Sequence, residues 1–192
     1  MKMTRPYTMR ARAASSEATR RRILQVVVAL LNTRFRAEIR LEDVADSAEV
    51  SVQTVLNIFG SRLALLDLAL EGLLVDMRSQ RLRAEPGDTG SGMAALVDHY
   101  EQFGDLVIRN LAEQADLQFI ETGRIGHRRW VERQFAPQLE GVEPKRRRNI
   151  VDALVCSCDV YTWKLLRRDM GRSSTDTVAT MLMTVEALLH AL

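Results

Sequence analysis

A chain of 192 residues, 46% of them hydrophobic, is long enough to bury a substantial core in one large or two small domains without staples. Its only cysteines, Cys156 and Cys158, lie two apart and so on different sides of a helix, which argues against a disulfide framework or a zinc site and for a reducing cytoplasm. The formal net charge of +2 hides an imbalance, since residues 1–40 carry 10 Lys/Arg against 2 Asp/Glu, the footprint of a surface that approaches a polyanion.

The basic start has no apolar h-region, and no run of 18 apolar residues occurs in the sequence, so neither a signal peptide nor a membrane span is expected. Residues 1–16 read as a flexible basic arm. Ile23, Val26, Val27, Leu30 and Leu31 then recur at helical spacing behind Ser15 and Ser16 as candidate N-caps. Leu41, Val44, Ala45 and Ala48 predict a short second helix, and Val52, Val55, Leu56, Ile58 and Phe59 a third, with Ser51 as its N-cap. Ser61 opens a longer helix reaching about Ala84. Gly72, in its middle, reads as a close-packing site or a flexible point. The stretch EPGDTGSG, residues 85–92, breaks any helix and marks a domain boundary, giving a first domain with its connecting helix over 17–84 and a second domain over 85–192. Apolar-periodic segments follow near 93–120, 126–139, 144–170 and 174–192. No alternating strand pattern occurs, and an all-α fold is expected.

Residues 41–60 match the demands of a helix-turn-helix, two short helices crossing steeply around a tight turn on a shared floor. Val44, Ala48, Val50, Val55 and Ile58 fall at its buried positions, and Ala45 stands where only a small side chain lets the helices approach. Glu49 occupies the turn, where the backbone is usually left-handed and Gly is easier by roughly 1 to 2 kcal/mol. Gln53 and Asn57, four apart on one face of the third helix, can each pair bidentately with adenine, while Val52 and Thr54 can meet thymine methyls or phosphate. Ser51, at the helix N-terminus, is placed to hold a phosphate with the backbone amides.

Through "RRILQVVVALL", "LEDVADSAEVSVQTVLNIFGSRLALLDLAL" and Arg62, two positions after Gly60, the segment from Arg21 to Leu70 resembles the N-terminal domain of the TetR family of transcriptional regulators. The later "DVYTWKLLRRDMGRS" is similar to a C-terminal helix of some members. The resemblance implies phosphate contacts from Arg20, Arg21, Arg22, Arg40 and Arg62. Where the family usually has Thr or Ser, Gly and Tyr, this sequence has Arg40, Glu49 and Leu56. Arg40 can replace a hydroxyl by charge; Leu56 cannot, so either affinity is lower or the arginines at 20–22 contribute more.

The segments 149–166 and 177–192 are apolar around much of their circumference, which predicts either pairing with two-fold copies as a four-helix bundle or burial within the chain's own core. With the resemblance, dimerisation is favoured, through Leu154, Tyr161, Leu182, Val185 and Leu189. A family member also implies a ligand cavity, for which Tyr100, Phe103, Phe119 and Trp130 are the candidates, although at helical spacing such residues equally read as core. His99, His127 and His190 lack metal-ligand spacing, and the run KRRR, 145–148, reads as a solvated first helical turn. With no catalytic constellation, metal spacing or phosphate-cradling loop, an enzyme is not expected and no cofactor is implied. The sequence therefore predicts a homodimeric, ligand-responsive repressor that binds a palindromic double-stranded DNA operator. The alternative is an all-helical small-molecule-binding or protein-interaction module whose DNA binding has weakened.

Overall fold

The computed structural model describes the backbone of residues 5–113 and 117–191, with side chains described from residue 14 onward. The start of the expected arm, residues 1–4, and the side chains of Arg5, Arg10 and Arg12 lie outside that description. Among the described residues the chain is helical and has no strand. It divides into two compact units, residues 1–73 and 74–192, with the division inside a helix rather than at the Gly- and Pro-rich stretch. No helix among the described residues is long and apolar enough to cross a membrane.

The N-terminal unit begins with α1, Arg5–Leu31. This helix starts ahead of the expected Ser15–Ser16 cap because residues 7–14 are mostly good helix formers and Pro6 sits in the first turn, where its missing N–H costs nothing. Then come α2, Leu41–Ser47, α3, Val52–Phe59, and the first part of α4, Arg62–Arg81. Ile23, Val27 and Leu31 of α1 are buried with Val44, Ala45 and Ala48, with Val55, and with Leu65, Leu66, Ala69 and Leu70 of α4. Val50 and Ile58 are half-buried. Gly60, with φ 78°, ends α3 in a conformation that L side chains rarely adopt, and the Ser61 hydroxyl accepts the amide of Ala64 at 3.1 Å to start α4. Gly72 is exposed, and a Cβ added there would meet nothing within 4 Å, so it is not a close-packing site.

The C-terminal unit takes in the end of α4, where Met77 is buried, and Ala84 just beyond it, also buried. It continues with α5, Thr89–Glu113, α6, Leu117–Gln134, α7, Pro144–Ser157, α8, Val160–Lys164, and α9, Ser174–His190, with a π-helical turn at Leu165–Asp169. α5 packs against both α8 and α9. The segment expected as one helix over 144–170 is broken at Cys158–Asp159. There Asp159 turns extended and its carboxylate accepts the amide of Tyr161 at 2.9 Å, capping α8. The KRRR run is the first turn of α7, behind Glu143, whose carboxylate accepts the amides of Lys145 and Arg146 at 3.0 and 2.9 Å.

The core of this unit centres on Trp163, which is fully enclosed. Its ring reaches α5 only because position 104 is glycine, since a Cβ there would stand 2.3 Å from the indole Cζ3. Its Nε1 donates to Glu101 Oε1 at 2.8 Å, and Arg167 binds the same carboxylate through Nε and Nη2 at 2.7 and 2.8 Å. The Arg167 guanidinium holds the Glu101 carboxyl below its ordinary range.

Candidate nucleic-acid interface and internal cavity

α2 and α3 are joined by the turn that the sequence requires. Glu49 takes φ 52°, the left-handed conformation expected at this position, and Val50 donates its amide to Ala45 O at 2.9 Å to close the turn. Ala45 is buried, as the approach of the two helices demands. Ser51 caps α3, its Oγ accepting the Thr54 amide at 3.1 Å and lying 2.8 Å from the Thr54 hydroxyl. The helix is amphipathic. Val55 is inside, Val52, Thr54 and Leu56 are half-buried, and Gln53 and Asn57 are exposed side by side, Gln53 Nε2 donating to Asn57 Oδ1 at 2.9 Å. Two exposed amides thus share one face, and their mutual bond uses one donor and one acceptor of the groups that base edges would engage.

The basic residues around this helix are in different circumstances. Arg21, Arg22 and Arg40 are exposed, whereas Arg20 is half-buried with its guanidinium carbon 5.6 Å above the Phe59 ring. Arg62 is half-buried, donating through Nε to Ile39 O at 2.6 Å and through Nη2 to Arg36 O. It braces the start of α4 against the segment before α2, and a phosphate contact from it has to use whatever these bonds leave over. Of the acidic residues, Glu42, Asp46 and Glu49 are exposed. Asp43 pairs with Arg34 Nη1 at 3.0 Å and accepts the Arg40 amide at 3.3 Å. Arg34 was not distinguishable as a structural partner from sequence, because its acid lies nine residues on, across a turn.

The C-terminal unit holds a partly open cavity of about 150 Å³, with exposed Gly123 and Arg124 in its lining. Of the four aromatic residues expected there, Tyr100 and Phe119 line it and Phe103 and Trp130 do not. Phe103 packs on His99, ring centroids 5.3 Å apart, and Trp130 stacks on His127 at 6.4 Å and meets Phe135 edge-on at 6.2 Å. Apolar walls come from residues such as Leu74, Met77, Val107 and Ile120, and the polar ones from Arg81, Arg124, His127 and Asp159. Arg81 Nη2 lies 2.8 Å from His99 Nε2, and the Trp130 indole donates to the Arg81 carbonyl at 2.9 Å. Burial, reinforced by Arg81, drives the His99 pKa down to about 2, so the ring is neutral and its Nε2 accepts from the guanidinium. His127 is also lowered by burial. Its Nε2 donates to Val155 O at 3.1 Å, leaving Nδ1 buried without a partner. Tyr100 is raised by burial and donates its hydroxyl to Cys158 O at 2.9 Å. Arg81, His99, His127 and Asp159 escaped the sequence-based expectation because none stands at a motif spacing.

The residues expected at a dimer interface fall into two groups. Leu154 and Val185 are fully enclosed by the chain's own core, so a partner would not touch them and the expectation is corrected for these two. Tyr161 is 55% exposed, and Leu182 and Leu189 are half-buried at the margin of the core.

A chain that is helical among its described residues, with a helix-turn-helix in its N-terminal unit and a partly open cavity in its C-terminal unit, has a TetR-like fold. The sequence matches no protein-family model and no curated protein. Among solved structures it is similar to a tetR-family transcriptional regulator from Streptomyces coelicolor, with a TM-score of 0.69 at 16% identity over 90% of this chain and 80% of that one. A TetR transcriptional regulator from Streptococcus agalactiae gives 0.62 at 18% identity, covering 92% of this chain and 98% of its own. A TetR transcription regulator from Haloarcula marismortui gives 0.62 at 15% identity, with the same coverage of 92% and 98%.

Proposed function

We propose that the chain is a DNA-binding transcriptional regulator that reads a palindromic operator as a homodimer and represses until an effector binds its C-terminal unit. The observation that carries this reading is the face of α3, where Gln53 and Asn57 stand exposed together on a capped helix held by its own floor. A recognition helix need not be basic, because phosphate contacts supply affinity and register while base edges supply discrimination. Here α3 enters the major groove, Gln53 and Asn57 engage adenine edges, and Val52 and Thr54 meet thymine methyls or phosphate. Breaking the 2.9 Å bond between the two amides is the local cost of doing so. Ser51 with the first amides of α3, Arg40, and Arg20 to Arg22 take the backbone phosphates, and Arg62 supports them mainly as a brace.

Two copies engage successive major grooves only if their recognition helices lie about 34 to 36 Å apart, so an effector that shifts this spacing by a few ångströms forfeits a half-site. α4 is the only chain segment that links the two units, which makes it the natural lever. A coupling of about 1 to 3 kcal/mol would change operator affinity about 5- to 150-fold. Dimerisation is assigned to α8, the turn after it and α9, where Tyr161, Leu165 and Met183 are exposed at 55%, 51% and 65%. An electrophoretic titration against the DNA flanking its own gene tests the proposal, which expects a discrete complex that competitor DNA of random sequence does not displace. Equal competition by random DNA would favour the module with weakened DNA binding.

A further inference from the structure

In the cavity lining, Arg81 is a charge with no ion-pair partner among the described residues. Its volume of about 150 Å³ matches the size of engineered apolar cavities that accept benzene. Within its lining stand two arginines, Arg81 and Arg124, against one carboxylate, Asp159, whose Oδ1 is committed to the amide of Tyr161. Arg124 is exposed, whereas Arg81 is half-buried. No carboxylate lies within ion-pair distance of it among the described residues, its one side-chain hydrogen bond goes to a neutral imidazole, and its Nε is buried with no partner. The guanidinium carbon rests 5.5 Å from the centroid of the Tyr100 ring, which lines the same cavity, and the Trp130 indole fixes the backbone beneath it. A half-buried guanidinium without an anionic partner favours an acceptor that brings negative charge.

We propose that this cavity takes a small carboxylic acid with an apolar body of about benzene size, its carboxylate paired with Arg81. The lining is mostly apolar and carries few polar groups, which suits one carboxylate on an apolar body better than a phosphorylated or polyhydroxylated ligand. A planar carboxylate suits the guanidinium fork. This inference rests on the reading of the C-terminal unit as an effector domain. Its test is independent of DNA, so failure of acid binding leaves operator recognition standing, and failure of operator recognition leaves the cavity assignment standing.

Isothermal titration calorimetry of the full chain with benzoate, benzamide and benzylamine decides the matter. Benzoate should bind at least about tenfold more tightly than benzamide, and benzylamine should not bind, since one charge-assisted pair is worth about that ratio. Arg81→Met should abolish the preference for the acid over the amide. Arg81→Lys, which keeps the positive charge, should retain a weaker preference for the acid over the amide and provides the check if Arg81→Met fails to fold. Equal or tighter binding of benzamide or benzylamine, no heat with benzoate at millimolar concentration, a preference that survives Arg81→Met, or one absent from a folded Arg81→Lys would each overturn the proposal.

Discussion

The N-terminal unit keeps its proposed working residues outside, as exposed amides and arginines on short helices, whereas the C-terminal unit keeps its own inside, as an arginine and two neutral histidines among apolar walls. In the first, substitution of a functional side chain should change recognition and leave the fold alone. In the second, function and stability share the same side chains, and any change is felt twice. The two units should therefore respond differently to core substitution, to surface substitution and to acid.

The largest effect is expected where the C-terminal core is densest. Trp163→Ala removes a fully enclosed indole, its bond to Glu101 and the filling above Gly104, and should destabilise by about 3 to 5 kcal/mol in denaturant unfolding. A loss below about 1 kcal/mol would mean that the core around α5 is not packed as described. On the outer face of α3, Gln53→Ala and Asn57→Ala should each cost about 1 to 3 kcal/mol on the cognate site while sparing non-specific binding and the unfolding midpoint. Equal losses on specific and random DNA would remove both residues from base reading.

Acid should separate the units next. All three histidines lie in the C-terminal unit, at 99, 127 and 190. His99 has a folded pKa near 2, below the ordinary 6.5, because burial and Arg81 penalise its charged form. The unfolded state therefore binds more protons, so stability is fully present above pH 6.5 and is lost as pH falls below it. By pH 5 this amounts to about 1 to 2 kcal/mol from His99, with His127 acting in the same direction. His99→Phe should flatten the pH dependence of C-terminal unfolding between pH 7 and 5. A slope unchanged in that variant would place the titrating group elsewhere. The smallest effect belongs to the turn, where Glu49→Gly should stabilise the N-terminal unit by about 1 kcal/mol by relieving the left-handed strain at φ 52°. A destabilised variant would show that the Glu49 side chain contributes more than its backbone costs.

The same contrast explains what was legible in the sequence. The helix-turn-helix could be read because its constraints are local, with an amphipathic period, a cap at Ser51, a small residue at Ala45 and a strained turn at Glu49 all within twenty residues. Gln53 and Asn57 could be paired because a separation of four sets a common helix face. The cavity could not be read. Phe103 and Trp130 share their spacing with Tyr100 and Phe119, and only tertiary packing decides which of the four face a void. Arg81 lies in the basic end of α4, which reads as solvated. The break at Cys158–Asp159 was hidden because apolar residues continue on both sides, although Asp159 ahead of VYTW is itself a cap signal. Leu154 and Val185 carried the pattern of an interface because a helix covered by its own chain and one covered by a copy have the same composition.

The central claim is that α3 reads DNA sequence through Gln53 and Asn57 in two symmetric copies. Affinity selection from a random duplex library tests it most directly, with the recovered DNA sequenced for the native chain and for the Gln53→Ala, Asn57→Ala double variant in parallel. The account predicts that the native chain enriches a two-fold symmetric site whose half-sites are centred about 10 to 10.5 base pairs or a multiple of that apart, and that the double variant loses preference at one or two positions of each half-site while keeping the spacing. Recovery of no common sequence by the native chain, or of the same sequence by both proteins, would contradict it.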